Sequence, residues 1–300
     1  MDSSWDAGRP VDLLSTLGPL RRGSADPAHR VGADGRFWWA CTTPDGAGTI
    51  ALRAAGSVVT AEAWGDGADW LHDRVPTLLG VHDDWSSLDV SSRPLLDRVR
   101  RARPGLRLPS TGLVLDSVVP AILEQKVTGR EARRSWQQLV SRFGEPAPGP
   151  NERLRVPPTP QALLDIPTWD WHRIGVDLRR QRTIRAAASV ARRLEECVTL
   201  PRDVALARLR HIPGIGPWTA AETVQRALGD PDTVSVGDYH LPNVVVYLFT
   251  GRPRGTDDEM LELLAPWAGQ RQRVMRLVEA AGIGAPRFGP RFTPLDARAI

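Results

Sequence analysis

The stretch LRHIPGIGPWTAAET, Leu209 to Thr223, breaks a helical pattern with two prolines and two glycines and restarts it at once. Arg202 to Arg210 reads as a short amphipathic helix with Val204, Ala205, Leu206 and Leu209 inward. Pro213 and Gly214 stop it. Pro217 restarts it, because the N–H that proline lacks would be unpaired at a first helical position anyway, and Gly216 reads as the cap. Glycines on both sides of Ile215 admit positive φ and remove the Cβ atoms that would hold another backbone away, while Ile215 plugs the hairpin onto the core. The amides of Trp218 and Thr219 then point outward at the positive end of a helix dipole, which suits a phosphate. A purely structural turn between two packed helices satisfies the same pattern.

Beyond Gly229 and a short loop comes DTVSVGDYHLPNVVVYLF, in which Asp238 precedes another apolar helix. The plain reading of Asp238 is a helix N-cap. A carboxylate so placed can also face a developing positive charge. His240 reads as a packing or capping residue.

Outward from these two segments, the chain from about Ser92 is predominantly helical by its 3.6-residue periodicity, through SVVPAILEQKVTGREARRSWQQLVSRFG, RRQRTIRAAASVARRLEECV and DDEMLELLAPW to RQRVMRLVEAAG. The first third reads as sheet: GRFWWACTT, GTIALRA and SVVTAEAWG are β-prone runs split by turn formers, a three-stranded antiparallel meander followed by a helix at ADWLHDRVPTLLG. The expected architecture is therefore mainly α with an N-terminal antiparallel sheet, an α+β chain divided into residues 1–90 and a helical region over 91–300. EPAPGPNERLRVPPTP reads as a surface loop, and the Arg- and Pro-rich tail GAPRFGPRFTPLDARAI as extended.

Composition narrows the partners. With 300 residues and 41% hydrophobic content the chain can bury a substantial core, and it has no apolar run near the roughly 20 residues a membrane span needs. A polar, acidic N-terminus unlike a secretory signal sets the expectation of a cytoplasmic protein. Cys41 and Cys197 are too few for an iron–sulfur cluster or an all-cysteine zinc site, and no metal site is expected. Of 39 basic residues only Lys126 is a lysine, and runs such as RVRRAR and RRQRTIR carry forked guanidinium donors suited to phosphates.

The hairpin and the aspartate following it resemble the helix-hairpin-helix DNA glycosylases. PGLRLPSTGLVLDSVVPAILEQKVTG, GIGPWTA and GDYHL are similar to segments of the bacterial 3-methyladenine DNA glycosylase II family, strongly from Leu106 to Leu241 and weakly elsewhere. The resemblance implies a helical region of two lobes with the active site in the cleft between them. It implies a monomeric base-excision repair enzyme that flips a damaged nucleotide out of double-stranded DNA, cuts the N-glycosidic bond of an alkylated purine and leaves an abasic site. Asp238 is then the catalytic carboxylate that stabilises an oxocarbenium-like sugar. Trp218, Tyr239, Gln125 and Glu222 are candidate base-pocket residues, and Gly214, Ile215, Gly216, Trp218 and Thr219 the backbone grip on DNA. Lys126 is the candidate wedge that fills the gap left by the flipped base, with Gln125 as the other candidate. A lysine that gripped a phosphate instead would occupy the same place.

The sequence also departs from the family. The position of the lyase lysine in bifunctional relatives is Trp218 here, which implies a monofunctional enzyme. Glu222 stands where well-known members stack an aromatic residue. Pro266 and Trp267 match a family segment whose following arginine is Ala268 here, and Trp267 reads as core. No cofactor is implied, and a monovalent ion on the hairpin carbonyls stays open. Two alternatives share the motifs: a non-catalytic lesion-binding protein, and a glycosylase for oxidised or deaminated bases.

Overall fold

A computed structural model describes residues 2–286. The Arg- and Pro-rich tail read as extended lies almost wholly outside the described residues.

The N-terminal unit is a five-stranded antiparallel sheet, ordered β1-β5-β4-β3-β2, of β1 (Asp2–Asp6), β2 (His29–Val31), β3 (Phe37–Thr43), β4 (Gly46–Ala55) and β5 (Val58–Trp64). The meander β3-β4-β5 is as the alternating runs predict, with Trp39 opposite Ile50 and Leu52 opposite Ala61. Two edge strands were not legible. The sequence of β1, DSSWD, has low β-propensity and is almost wholly exposed, so only its backbone pairing with β5 makes it a strand. One face of the sheet, with Phe37, Trp39, Ile50 and Leu52, packs on α1 (Leu13–Leu17) and α2 (Ala68–Leu78) through Leu17, Leu71, Val75 and Leu78.

The stretch read as a surface loop covers the other face. After α3 (Pro94–Ala102), α4 (Val114–Leu123) and α5 (Gly129–Phe143), the chain forms the small hairpin β6 (Glu145–Pro146) and β7 (Arg155–Val156), whose Leu154 and Val156 bury against Ala40. Gly149 there has φ +102°, and a Cβ on it would come 2.8 Å from the Trp64 ring, itself stacked on Trp38.

The periodic segment expected as one helix from Ser117 to Phe143 is two. α4 ends at Leu123 with Glu124 as its C-cap, the chain turns, and Thr128 opens α5 with a capping box closed by Glu131. Apolar residues on both sides of the break keep the same period, so periodicity alone does not reveal it. α4 is buried nearly all round and forms the centre of the first helical lobe. Around it lie α5, α6 (Pro160–Asp165), α7 (Thr168–Arg173), α8 (Leu178–Ser189), α9 (Ala191–Glu195), α10 (Arg202–Arg210) and α11 (Pro217–Ala227).

The second helical lobe has its own core, formed by α12 (Leu241–Thr250), α13 (Asp257–Leu264), α14 (Arg271–Ala280) and the earlier segment around α3. Trp85, Leu88 and Val90 bury into this lobe with Met260 and Val274, so the sheet unit ends before the boundary expected at residue 90. Trp267 is core, as read: it is buried there, and its Nε1 donates to the Asp89 carbonyl. No described helix is long and apolar enough to cross a membrane.

Candidate active site

The hairpin joins α10 to α11. Ala205 and Leu209 are buried as expected, whereas Val204 is 47% exposed. Ile215 is buried beside Ile212, Ala220 and Val224, and its N–H donates to the Ile212 carbonyl at 3.0 Å, closing the turn. The two glycines differ. Gly214 has φ +94°, and a Cβ on it would lie 2.0 Å from Thr183 Oγ1 of α8. Gly216 is extended at φ −96°, ψ −176°, and a Cβ there would meet nothing within 4 Å. Only Gly214 therefore serves the fold, which corrects the expectation of positive φ at both. Gly216 caps α11 without a side chain, so the Trp218 and Thr219 amides at the helix start have no side-chain cap.

Trp218 is half-buried, and its Nε1 donates to Asp238 Oδ2 at 3.1 Å. Asp238 Oδ1 accepts from the His240 and Leu241 amides at 2.8 and 2.9 Å, the first amides of α12. The N-cap of α12 is His240 rather than Asp238, but the Asp238 carboxylate still satisfies amides at the helix start with one oxygen and accepts from the hairpin tryptophan with the other. Its backbone N–H donates to the Ser235 carbonyl, and the preceding Gly237, at φ +90°, donates to both carboxylate oxygens of Asp257 at the start of α13. Residues twenty positions apart on two elements are so fixed against each other.

Tyr239 is 79% exposed, with its ring edge-to-face on His240, so it stands at the rim and lines no enclosed pocket. His240 is exposed and contributes its backbone amide to Asp238; its side chain makes no capping bond.

Lys126 sits at the tip of the turn between α4 and α5, exposed, with φ +54°, the one non-glycine residue with positive φ among the described residues. A side chain in that conformation costs on the order of 1 kcal/mol or more and persists where its surroundings over-determine it. Gln125 supplies the constraint. Its Nε2 donates to the Gly214 carbonyl at 3.0 Å and to Thr219 Oγ1 at 2.8 Å, so the turn is pinned to the hairpin. The side chains of Gln125 and Thr219 are thus engaged with each other, which sequence spacing did not indicate.

Glu222, one helical turn from Trp218, enters a chain of charges. Oε1 accepts from Ser235 Oγ at 2.5 Å, and Oε2 lies 2.8 Å from Arg226 Nη1. Nearby Arg22, only 8% exposed, pairs with Glu124 at 3.1 Å. Burial lowers the Arg22 pKa, opposed by the Glu124 and Glu222 carboxylates; burial also works against the Arg226 charge, but the carboxylates around it prevail and raise its pKa. Arg22 comes from the sheet unit, and Arg226 Nε donates to the Pro19 carbonyl, so that unit reaches the site. Nothing in the local sequence marks Arg22 or Pro19 as site residues; only the packing of three units brings them there. A cleft of about 490 Å³ opens beside Arg226, between Pro19, Arg103 and Arg276. Its walls include none of Trp218, Glu222 and Asp238. Among the described residues no cluster of His, Cys, Asp or Glu could hold a metal ion.

No family model matches the chain. Over 157 residues it is 33% identical to the probable bifunctional transcriptional activator/DNA repair enzyme AlkA of Mycobacterium tuberculosis, covering 51% of this chain and 31% of that protein. Over 174 residues it is 30% identical to DNA-3-methyladenine glycosylase 2 of Escherichia coli, covering 57% and 60%. The chain thus spans less than two thirds of either relative. The 3-methyladenine DNA glycosylase of Archaeoglobus fulgidus shares the fold with a TM-score of 0.77 and 16% identity, over 93% of this chain and 98% of that one. The chain thus shares the fold of a 3-methyladenine DNA glycosylase and is similar in part of its sequence to bacterial DNA repair glycosylases.

Proposed function

We propose that this protein is a monofunctional DNA glycosylase that hydrolyses the N-glycosidic bond of alkylated purines in double-stranded DNA and leaves an abasic site. The observation that carries the reading is the Trp218–Asp238 pair: a carboxylate held by three N–H donors beside a hairpin whose helix start carries no side-chain cap. The hairpin amides grip a phosphate and set the register without reading the base. The tip of the α4–α5 turn, with Lys126 foremost, enters the stack as the nucleotide flips. As the glycosidic bond lengthens, positive charge develops at C1′, and the preorganised carboxylate of Asp238 stabilises it and orients the attacking water. An alkylated purine is already a good leaving group, so no strong general acid is required. Trp218 occupies the position a lyase amine would need, which supports hydrolysis without strand cleavage. The chemistry requires no cofactor, and the protein acts as a monomer in the cytoplasm.

The test is incubation of the full chain with methylated duplex DNA, chromatography of the released bases and alkaline cleavage of the product. Free methylated purine with alkali-labile sites is the expected result. Binding without base release would instead make the protein a lesion-binding module, and strand breaks formed without alkali would refute the monofunctional reading.

A further inference from the structure

Trp218, Glu222 and Gln225 follow one another at helical spacing and share one face of α11. All three reach the segment that carries Asp238. Trp218 donates to the carboxylate itself, whereas Glu222 and Gln225 hold the chain just upstream, at Ser235. The Ser235 side chain is buried, and its hydroxyl is engaged in both directions: Oγ donates to Glu222 Oε1 at 2.5 Å and accepts from Gln225 Nε2 at 3.0 Å. The same Gln225 amide also donates to the Thr233 carbonyl at 2.8 Å. From Ser235 the grip passes to the site, because the Ser235 carbonyl accepts the Asp238 N–H at 3.3 Å.

Residues 233–238 form neither helix nor strand, so no regular ladder of backbone bonds fixes them. A segment of that kind keeps its conformational freedom unless side chains pin it. The carboxylate at its end has to be placed closely, since a displacement of about 1 Å at a reacting centre can cost on the order of 10²-fold in rate. Glu222 and Gln225 supply the pin from a packed helix. Arg226 Nη1, 2.8 Å from Glu222 Oε2, balances the charge that accepts the Ser235 hydroxyl. Each Glu222 oxygen is thus already engaged within the protein, one toward the loop and one toward Arg226.

We infer that Glu222 and Ser235 are positioning residues: Glu222, together with Gln225, clamps Ser235 so that the loop holds Asp238 against the sugar, and Glu222 does not contact the base. The inference rests on the glycosylase reading and deepens it. Ser235→Ala removes the clamped hydroxyl and leaves the Glu222–Arg226 pair intact. Glu222→Gln offers one acceptor oxygen to two donors, so a bond is lost whichever way the amide turns. Thermal melting shows that each variant is folded, and Ser235→Ala carries the test if Glu222→Gln is not. Two quantities are measured: single-turnover release of methylated purines from duplex DNA treated with a methylating agent, and affinity for a duplex with a tetrahydrofuran abasic-site analogue. The expected result is release slowed about tenfold for every base that the parent releases, with affinity changed by less than about twofold. In the Asp238→Asn background the same substitutions should cost almost nothing further, because the group they place is gone. Release at the parent's rate by a folded variant, a loss of the same size in Asp238→Asn, or unequal losses among the released bases overturns the inference alone. Release of no base by the parent protein overturns the glycosylase reading instead.

Discussion

Substituting Asp238 by Asn is more disruptive than its shape suggests. The asparagine oxygen still accepts from the His240 and Leu241 amides, which turns its NH2 toward Trp218 Nε1–H, so two donors face each other across the 3.1 Å that now separates donor and acceptor. Loss of the charge is expected to slow base release by about 10² to 10³-fold, in line with removal of one preorganised electrostatic group. Trp218→Phe keeps an aromatic face and removes only the N–H. A hydrogen bond to a charged acceptor contributes roughly 1.5–3 kcal/mol, and this half-exposed one falls at the low end, so a loss of about tenfold is expected. The decisive experiment is the double-mutant cycle, measured as single-turnover base release from methylated duplex. Stacking lost with the indole persists in both backgrounds, whereas the hydrogen bond exists only with aspartate. Trp218→Phe should therefore cost about tenfold in the parent and almost nothing in Asp238→Asn, a coupling of about 1 kcal/mol or more. Additive losses would show that Trp218 does not aim the carboxylate, and near-normal turnover of Asp238→Asn would place the chemistry elsewhere.

The hairpin glycines separate fold from DNA contact. Gly214→Ala should lower the melting temperature, since its Cβ meets Thr183 Oγ1 and its φ is positive, whereas Gly216→Ala should melt like the parent yet bind damaged and undamaged duplex more weakly. A Gly216→Ala variant with unchanged DNA affinity would remove the hairpin from the interface. Lys126→Ala should slow excision on matched duplex more than on mismatched or single-stranded DNA, where there is less stacking to disrupt; equal losses with a shallower salt slope would mean a phosphate contact instead. Borohydride should trap no adduct on abasic DNA, and one that disappears with Lys126→Ala would contradict the monofunctional reading. Asp116 of α4 keeps some surface, but its Oδ2 is buried without a partner, and burial, with Glu195 nearby, raises its pKa from 3.8 to about 7. The folded protein therefore holds this proton where the unfolded chain has released it, and stability falls as pH rises from about 4 to about 7, then levels. The loss is on the order of 2 kcal/mol, discounted for the remaining exposure. Urea melts at pH 4.5 and 8 should show Asp116→Asn gaining on the parent at the higher pH, and a constant difference would refute it.

The sequence by itself determined what local chemistry dictates. The hairpin was legible because proline and glycine restrict backbone angles at known helix positions, and Asp238 because an aspartate just before an apolar run finds free amides at a helix start, although the cap itself is His240. The β3-β4-β5 meander and most of the helices followed from side-chain period. The tertiary structure decided everything that depends on a partner remote in the chain. β1 is a strand only because β5 offers it free backbone groups, and the turn at Lys126 exists because Gln125 reaches a carbonyl 89 residues away. Trp218 aims Asp238 across twenty residues, and Arg22 meets Glu124 across more than a hundred. Such contacts leave no period and no spacing in the chain, because they are set by the packing of whole units against one another.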